Sequence, residues 1–185
     1  FIYWINTELL SSSVNKIYKR GLITELYPEN MSFGEDLVFV LNYLKHCNRI
    51  SFTQEPLYQH EVYNSVSLTH SFSPARFSNL EDIQKAILDF ADDKNKINPR
   101  IYDKYVKDAL HLTRMWYKNK NVPYIRKKEI IGEWLKQSYI RKLKISDYQL
   151  HWKDRMLLHC LHMSCFIGIN LIVNGKEYIN SLSKE

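Results

Sequence analysis

Two adjacent carboxylates, Glu35 and Asp36, close the stretch Ser32-Phe33-Gly34-Glu35-Asp36 and stand at the head of an apolar-periodic segment, Leu37 to Leu44. Such a pair has two readings, a helix cap or the base-bearing corner of an active site. Ser32 and Glu35 have the S-x-x-E spacing of a capping box, in which each side chain accepts an orphan backbone N–H. Leu37, Val40, Leu41 and Leu44 follow at i, i+3, i+4 and i+7, one apolar helix face. Gly34 fits the cap badly, because glycine within a first turn costs about 1 kcal/mol relative to alanine. It is tolerated where something must approach the backbone closely.

Other residues of chemical type are less well placed. His159, His162 and Cys165 recur at steps of three and could share a helix face, but a zinc site ordinarily takes a fourth ligand, and neither Cys-x-x-Cys nor His-Glu-x-x-His occurs. Arg126-Lys127-Lys128 and Arg141-Lys142-Leu143-Lys144, with Tyr124, Trp134 and Tyr139 interleaved, have the composition of a nucleic-acid footprint without any nucleic-acid fold motif. Solvated helix faces or contact with anionic lipid explain them better. Gly-x-Gly-x-x-Gly, Gly-x-x-x-x-Gly-Lys and Gly-x-Ser-x-Gly are all missing, which leaves those routes to nucleotide binding and to a serine nucleophile unsupported.

The elements that must position these groups fall into two textures. Up to Phe72 there are 5 Lys+Arg against 7 Asp+Glu; from Ser73 onward there are 21 against 13, so the +6 of the whole chain resides in its second part. In the first part, Arg49 to Thr53 and Leu57 to Val62 are short β-prone runs interrupted at Glu55-Pro56. The second part has helical periodicity. Ser78 and Glu81 form another capping box, with Phe77, Leu80, Ile83, Ile87 and Phe90 as its stripe. Asn98-Pro99 starts a helix with Ile101, Tyr105, Ala109, Leu112 and Trp116 inside. Asn121-Val122-Pro123 breaks it, a further helix is predicted over 124–139, and Ser146-Asp147 can open the last one.

Met156 to Val173 is the most apolar run, 18 residues long. It reaches the lower limit for crossing a bilayer, but His159, His162, Ser164 and Asn170 favour a buried helix or one lying on a membrane surface. Three cysteines without paired spacing suit a reducing compartment. Phe1-Ile2-Tyr3-Trp4 has neither a basic leader nor an initiator methionine, so a fragment of a longer protein is expected. At 185 residues the chain is long enough for one domain or one and a half.

Four segments in series carry a resemblance: Asn15-Lys16-Ile17-Tyr18-Lys19-Arg20, Met31-Ser32-Phe33-Gly34-Glu35-Asp36-Leu37, Glu55-Pro56-Leu57-Tyr58-Gln59-His60 and Ser65-Val66-Ser67-Leu68-Thr69. In order and approximate spacing this set resembles the second half of bacterial family 2 glycosyltransferases. The resemblance covers roughly Asn15 to Thr69 and implies an α/β remnant of the A-type glycosyltransferase fold, here 1–72. A mainly helical, basic C-terminal domain would follow over 73–185, leaving the chain helix-dominated overall.

By that resemblance Asp36 would be the general base of an inverting sugar transfer, taking the proton of the acceptor hydroxyl, with Glu35 held in the cap or facing the acceptor. A hydroxyl is a poor nucleophile until a carboxylate within hydrogen-bond reach takes its proton, and a helix N-terminus favours the ionised carboxylate. Lys16 would meet a phosphate or the acceptor, and Trp4 would line the acceptor cleft. His60 stands where some relatives place a histidine beside the metal and diphosphate; where others have tyrosine followed by arginine, this chain has Glu61. The family's metal-holding Asp-x-Asp has no counterpart, since Asp92-Asp93 lies in the helical tail without a preceding strand. The resemblance thus implies the C-terminal part of an enzyme whose full length uses a divalent metal, Mg or Mn, a nucleotide-sugar donor and a glycan or lipid-linked acceptor. This part is expected to bind no metal and to be inactive alone. It would work in the cytoplasm at the inner membrane surface, with membrane contact or homo-oligomer contacts through the tail and no nucleic acid. The alternative is a non-enzymatic helical basic module that binds membrane, nucleic acid or a protein partner.

Overall fold

The computed structural model of the chain describes residues 1–59, 73–91 and 98–182, with backbone alone from 176. The fold is dominated by helices. Seven α-helices occur among the described residues: α1 (Ile2–Asn6), α2 (Glu35–Leu44), α3 (Ala75–Ala91), α4 (Asp103–Lys118), α5 (Tyr124–Gln137), α6 (Trp152–His162) and α7 (Phe166–Leu182). No strand is present among them. Residues 49–53 run as irregular chain, as do 57–59, while 60–62 lie outside the described residues. The physical reason is that an isolated β-prone run has no ladder partner, and proline at 56 has no N–H to give to a ladder.

The chain divides into two compact units, Phe1–Ile101 and Tyr102–Glu185. The change in sequence texture at Ser73 is therefore not where the units divide, because α3 packs on α2. In the first unit Leu37, Val40 and Leu41 of α2 and Phe77, Leu80, Ile83 and Ile87 of α3 are buried, as their periodicity predicts, while Leu44 and Phe90 at the ends of those stripes are half-buried. Each such side chain contributes about 1.5–3 kcal/mol on leaving water. Around them, the Phe1 ring lies 4.8 Å from Phe90 and Asn6 Nδ2 donates to the Arg100 carbonyl at 3.1 Å.

In the second unit α4 buries Tyr105, Val106, Ala109, Leu112 and Trp116, and α5 buries Ile131, Trp134 and Leu135. The end of α4 is closed by a lysine from α5: Lys127 Nζ donates to the Tyr117 carbonyl at 2.7 Å, placing a cation where the last-turn carbonyls are unpaired. Burial holds the Lys127 amine below its ordinary pKa. After α5, Ser138 Oγ accepts from Ile140 N at 3.2 Å and meets Tyr105 Oη at 2.7 Å, tying the 3-10 turn Tyr139–Lys142 to α4. Arg114 of α4 pairs with Asp154 of α6.

At four places the structure departs from what the sequence predicts. Ser32 is exposed and caps nothing; the residue before α2 is Gly34, and the helix start has no side-chain cap bond. Ser78 lies inside α3 and its hydroxyl returns to the Ala75 carbonyl at 2.8 Å. The S-x-x-E spacing is met both times, but a spacing alone does not set where the first turn begins. Ser146-Asp147 sits in the 3-10 turn Ile145–Asp147, and α6 instead begins behind His151, whose ring Nδ1 accepts from Lys153 N at 3.4 Å. Finally, the apolar run from Met156 is not one helix. It breaks at Ser164, whose φ of 53° is left-handed, and continues as α7. Among the described residues no helix is long and apolar enough to cross a membrane.

Candidate functional site

The head of α2, where Asp36 stands, is held by contacts from two directions. From one side comes α3, whose Arg76, Asn79 and Ile83, spaced i, i+3, i+7, meet the three residues before the helix. The Arg76 guanidinium lies 5.6 Å from the Phe33 ring centroid, Asn79 Oδ1 accepts from Ser32 N at 3.2 Å, and Ile83 covers Gly34. Gly34 has φ +76°, in the left-handed region, and a Cβ there would stand 2.7 Å from Ile83 Cγ1. This is the close approach that the misplaced glycine in the sequence indicated.

From the other side comes the loop 11–19. Ser13 is buried, and its hydroxyl donates to Asp36 Oδ1 at 2.5 Å. Tyr18 Oη donates to the Ser13 carbonyl at 3.0 Å, and the Tyr18 ring sits edge-on to Phe39 and Tyr43 of α2, with centroids 5.3 and 4.9 Å away. Tyr43 Oη accepts from Lys19 N at 2.8 Å. Tyr27 stacks on Phe39 at 4.5 Å. Burial raises the Tyr18 phenol well above its ordinary pKa, with Tyr27, Asp36 and Tyr43 adding to the shift. It is an uncharged anchor for the loop.

Lys16 belongs to the same loop, but its ammonium is spent inside it. Nζ donates to the Leu9 carbonyl at 2.9 Å, to the Ser12 carbonyl and to Asn15 Oδ1 at 2.7 Å, which occupies all three of its protons. Burial lowers its pKa, and the Asp36 carboxylate opposes that shift, so the two charges sense each other. The amine expected to reach a phosphate thus braces the loop that carries Ser13. Glu35 opens α2 beside Asp36, half-buried, with no cap bond. Trp4 packs against Phe52 with centroids 5.3 Å apart. His60, like Ser65 to Thr69 and Asp92-Asp93, lies outside the described residues.

The structure therefore joins two of the sequence segments, Asn15 to Arg20 and Met31 to Leu37, through Ser13, Tyr18 and Asp36. Ser13 was not singled out in the sequence, where it is the last of three consecutive serines with no motif around it. Chemically the arrangement is a carboxylate with one oxygen fixed by a hydroxyl and the other, Oδ2, without a hydrogen-bond partner among the described residues. That is the form of a positioned proton acceptor.

His159, His162 and Cys165 do not converge. His159 is exposed, His162 Nδ1 is 3.2 Å from the Ile140 carbonyl, and Cys165 lies beyond the end of α6, beside Cys160. Among the described residues no group of three or more His, Cys, Asp or Glu side chains could hold a metal ion. Comparison of the chain with protein-family models, with curated proteins and with solved structures finds no match.

Proposed function

We propose that the first unit is the acceptor-activating corner of an inverting family 2 glycosyltransferase, of which this chain is the C-terminal part. The observation that carries the reading is the Ser13–Asp36 bond, because it fixes one carboxylate oxygen and leaves the other available at a helix head. In this reading Asp36 Oδ2 takes the proton of an acceptor hydroxyl while that oxygen bonds to the anomeric carbon and the nucleoside diphosphate departs. Glu35, next to it, contacts the acceptor. The nucleotide-sugar site and the divalent metal of the full-length enzyme belong to residues outside those described. The work site is the cytoplasmic face of a membrane, where a glycan or lipid-linked acceptor is extended.

In the full-length enzyme, Asp36→Asn keeps an acceptor for the Ser13 hydroxyl and removes the base. Transfer is expected to fall by about 10²- to 10⁴-fold with the thermal transition unchanged. Transfer at the parental rate by that variant would sink the proposal, as would turnover of a nucleotide sugar by the isolated chain. The non-enzymatic alternative draws on one observation, the concentration of charge in the second unit, where 16 Lys+Arg face 8 Asp+Glu over residues 102–185.

A further inference from the structure

A helix of a water-exposed unit ordinarily turns its apolar stripe inward and its polar residues outward. α6 does the first and not the second. Leu157, Leu158 and Leu161 are fully buried, while the opposite side carries Trp152, Met156 and Met163, which are 60%, 48% and 75% exposed. At 100° per residue these three, with the exposed His159, fall within one narrow stripe directly away from the core. Across the turn at Ser164, Ile167 and Leu171 of α7 are 70% and 56% exposed.

The charges that flank the stripe on α6 and meet the turn at Ser164 are positive. Lys153 and Arg155 flank the stripe on α6, both exposed, and Lys153 Nζ lies 5.3 Å from the Trp152 ring centroid. Arg141 reaches the turn itself, its guanidinium donating to Ser164 Oγ at 2.9 Å, with Lys142 exposed next to it. None of these four has a carboxylate partner among the described residues; the acid of the first turn, Asp154, is turned to Arg114.

We infer that the outer face of α6, continued across the turn onto α7, docks on the surface of an anionic lipid bilayer. The tryptophan and methionines would enter the headgroup region while Lys153, Arg155, Arg141 and Lys142 meet lipid phosphates and carboxylates. The chemistry favours lipid over a protein partner or a second copy. An indole and unbranched thioethers ringed by cations suit a soft apolar layer beneath a negative surface, and a second copy would oppose like charges. The inference concerns the second unit alone and stands whether or not Asp36 is a base.

The test is sedimentation of the full chain with phosphatidylcholine vesicles and with vesicles in which part of that lipid is replaced by phosphatidylserine. The expected result is pelleting with the anionic vesicles only, weakening as salt rises, with a blue shift of emission that Trp152→Phe removes. Lys153→Glu/Arg155→Glu, checked for unchanged circular dichroism, should weaken binding by about tenfold or more. Met156→Ser/Met163→Ser should weaken it too while keeping the salt dependence. Four outcomes would overturn the inference: pelleting with neither vesicle, equal pelleting with both, variants that bind like the parent, or a lipid-free dimer that Met156→Ser/Met163→Ser dissociates.

Discussion

The Ser13 hydroxyl donates to Asp36 Oδ1 across 23 positions of sequence, so a loop with no regular structure sets the orientation of a carboxylate on the first turn of α2. A hydrogen bond to a charged group contributes about 1.5–3 kcal/mol, less where water can replace the lost donor. Ser13→Ala is therefore expected to lower stability by about 1–2 kcal/mol, read as a reduced denaturation midpoint at unchanged slope. In the full-length enzyme proposed above the same change should lower kcat more than it alters KM, because it disturbs the base and not the donor site. A stability loss without any change in transfer would leave Ser13 as packing alone.

Gly34 is constrained twice, by its left-handed backbone and by Ile83. A residue with a Cβ at that φ costs about 1–2 kcal/mol, and forcing an extra methyl into a packed site costs a further 1–3 kcal/mol or so. Gly34→Ala should thus be among the most damaging substitutions in the first unit. Adding Ile83→Ala removes the collision but not the backbone strain, so the double variant should lose less than the sum of the two singles. Strict additivity in a denaturation cycle would show that Ile83 does not press on Gly34.

Tyr117 has a buried hydroxyl with no partner among the described residues. Tyr117→Phe removes that unsatisfied group and is expected to raise stability by about 1 kcal/mol near neutral pH. Its phenol is raised above the ordinary pKa of about 10, by burial first and Tyr124 second, as the Tyr18 and Tyr148 phenols are also raised. In the interval above pH 10 or so the native state holds protons that the unfolded chain has released. Stability from these phenols is whole below that pH and is lost as pH rises through it. The lowered amines of Lys16 and Lys127 act in the opposite sense below their own ordinary value. The comparison to make is Tyr117→Phe against the parent across alkaline pH, where the variant should show the shallower decline.

Ser138 serves two groups at once, Tyr105 Oη and the Ile140 amide, and both are buried. Ser138→Ala removes the bond that each makes to this hydroxyl and is expected to cost about 1–3 kcal/mol. In a double-mutant cycle with Tyr105→Phe the two losses should be less than additive, since both substitutions remove the same contact. A single Ser138→Ala midpoint equal to the parent would contradict the pairing.

The long helices were legible because burial writes itself into a period. Leu37, Val40 and Leu41, then Phe77, Leu80, Ile83 and Ile87, then Tyr105, Ala109, Leu112 and Trp116 are buried as their spacing predicts, and only the stripe ends Leu44 and Phe90 stay half-buried. Helix ends were harder to read, as Ser32 and Ser78 show, because a capping spacing also arises by chance before or within a helix. The candidate site was half legible. Gly34 announced a close approach without saying to what, and Asp36 stood out by type, whereas Ser13 and the turn at Ser164 depend on contacts made far along the chain, which no local pattern encodes.

Because Ile83 rests where a side chain at 34 would be, the height of the Asp36 carboxylate is gauged by the length of one aliphatic chain on another helix. Ile83 works as a set screw. Trimming it to valine or alanine would let the head of α2 settle toward α3 and draw Asp36 with it, so the reach of that carboxylate can be tuned from a residue on another helix.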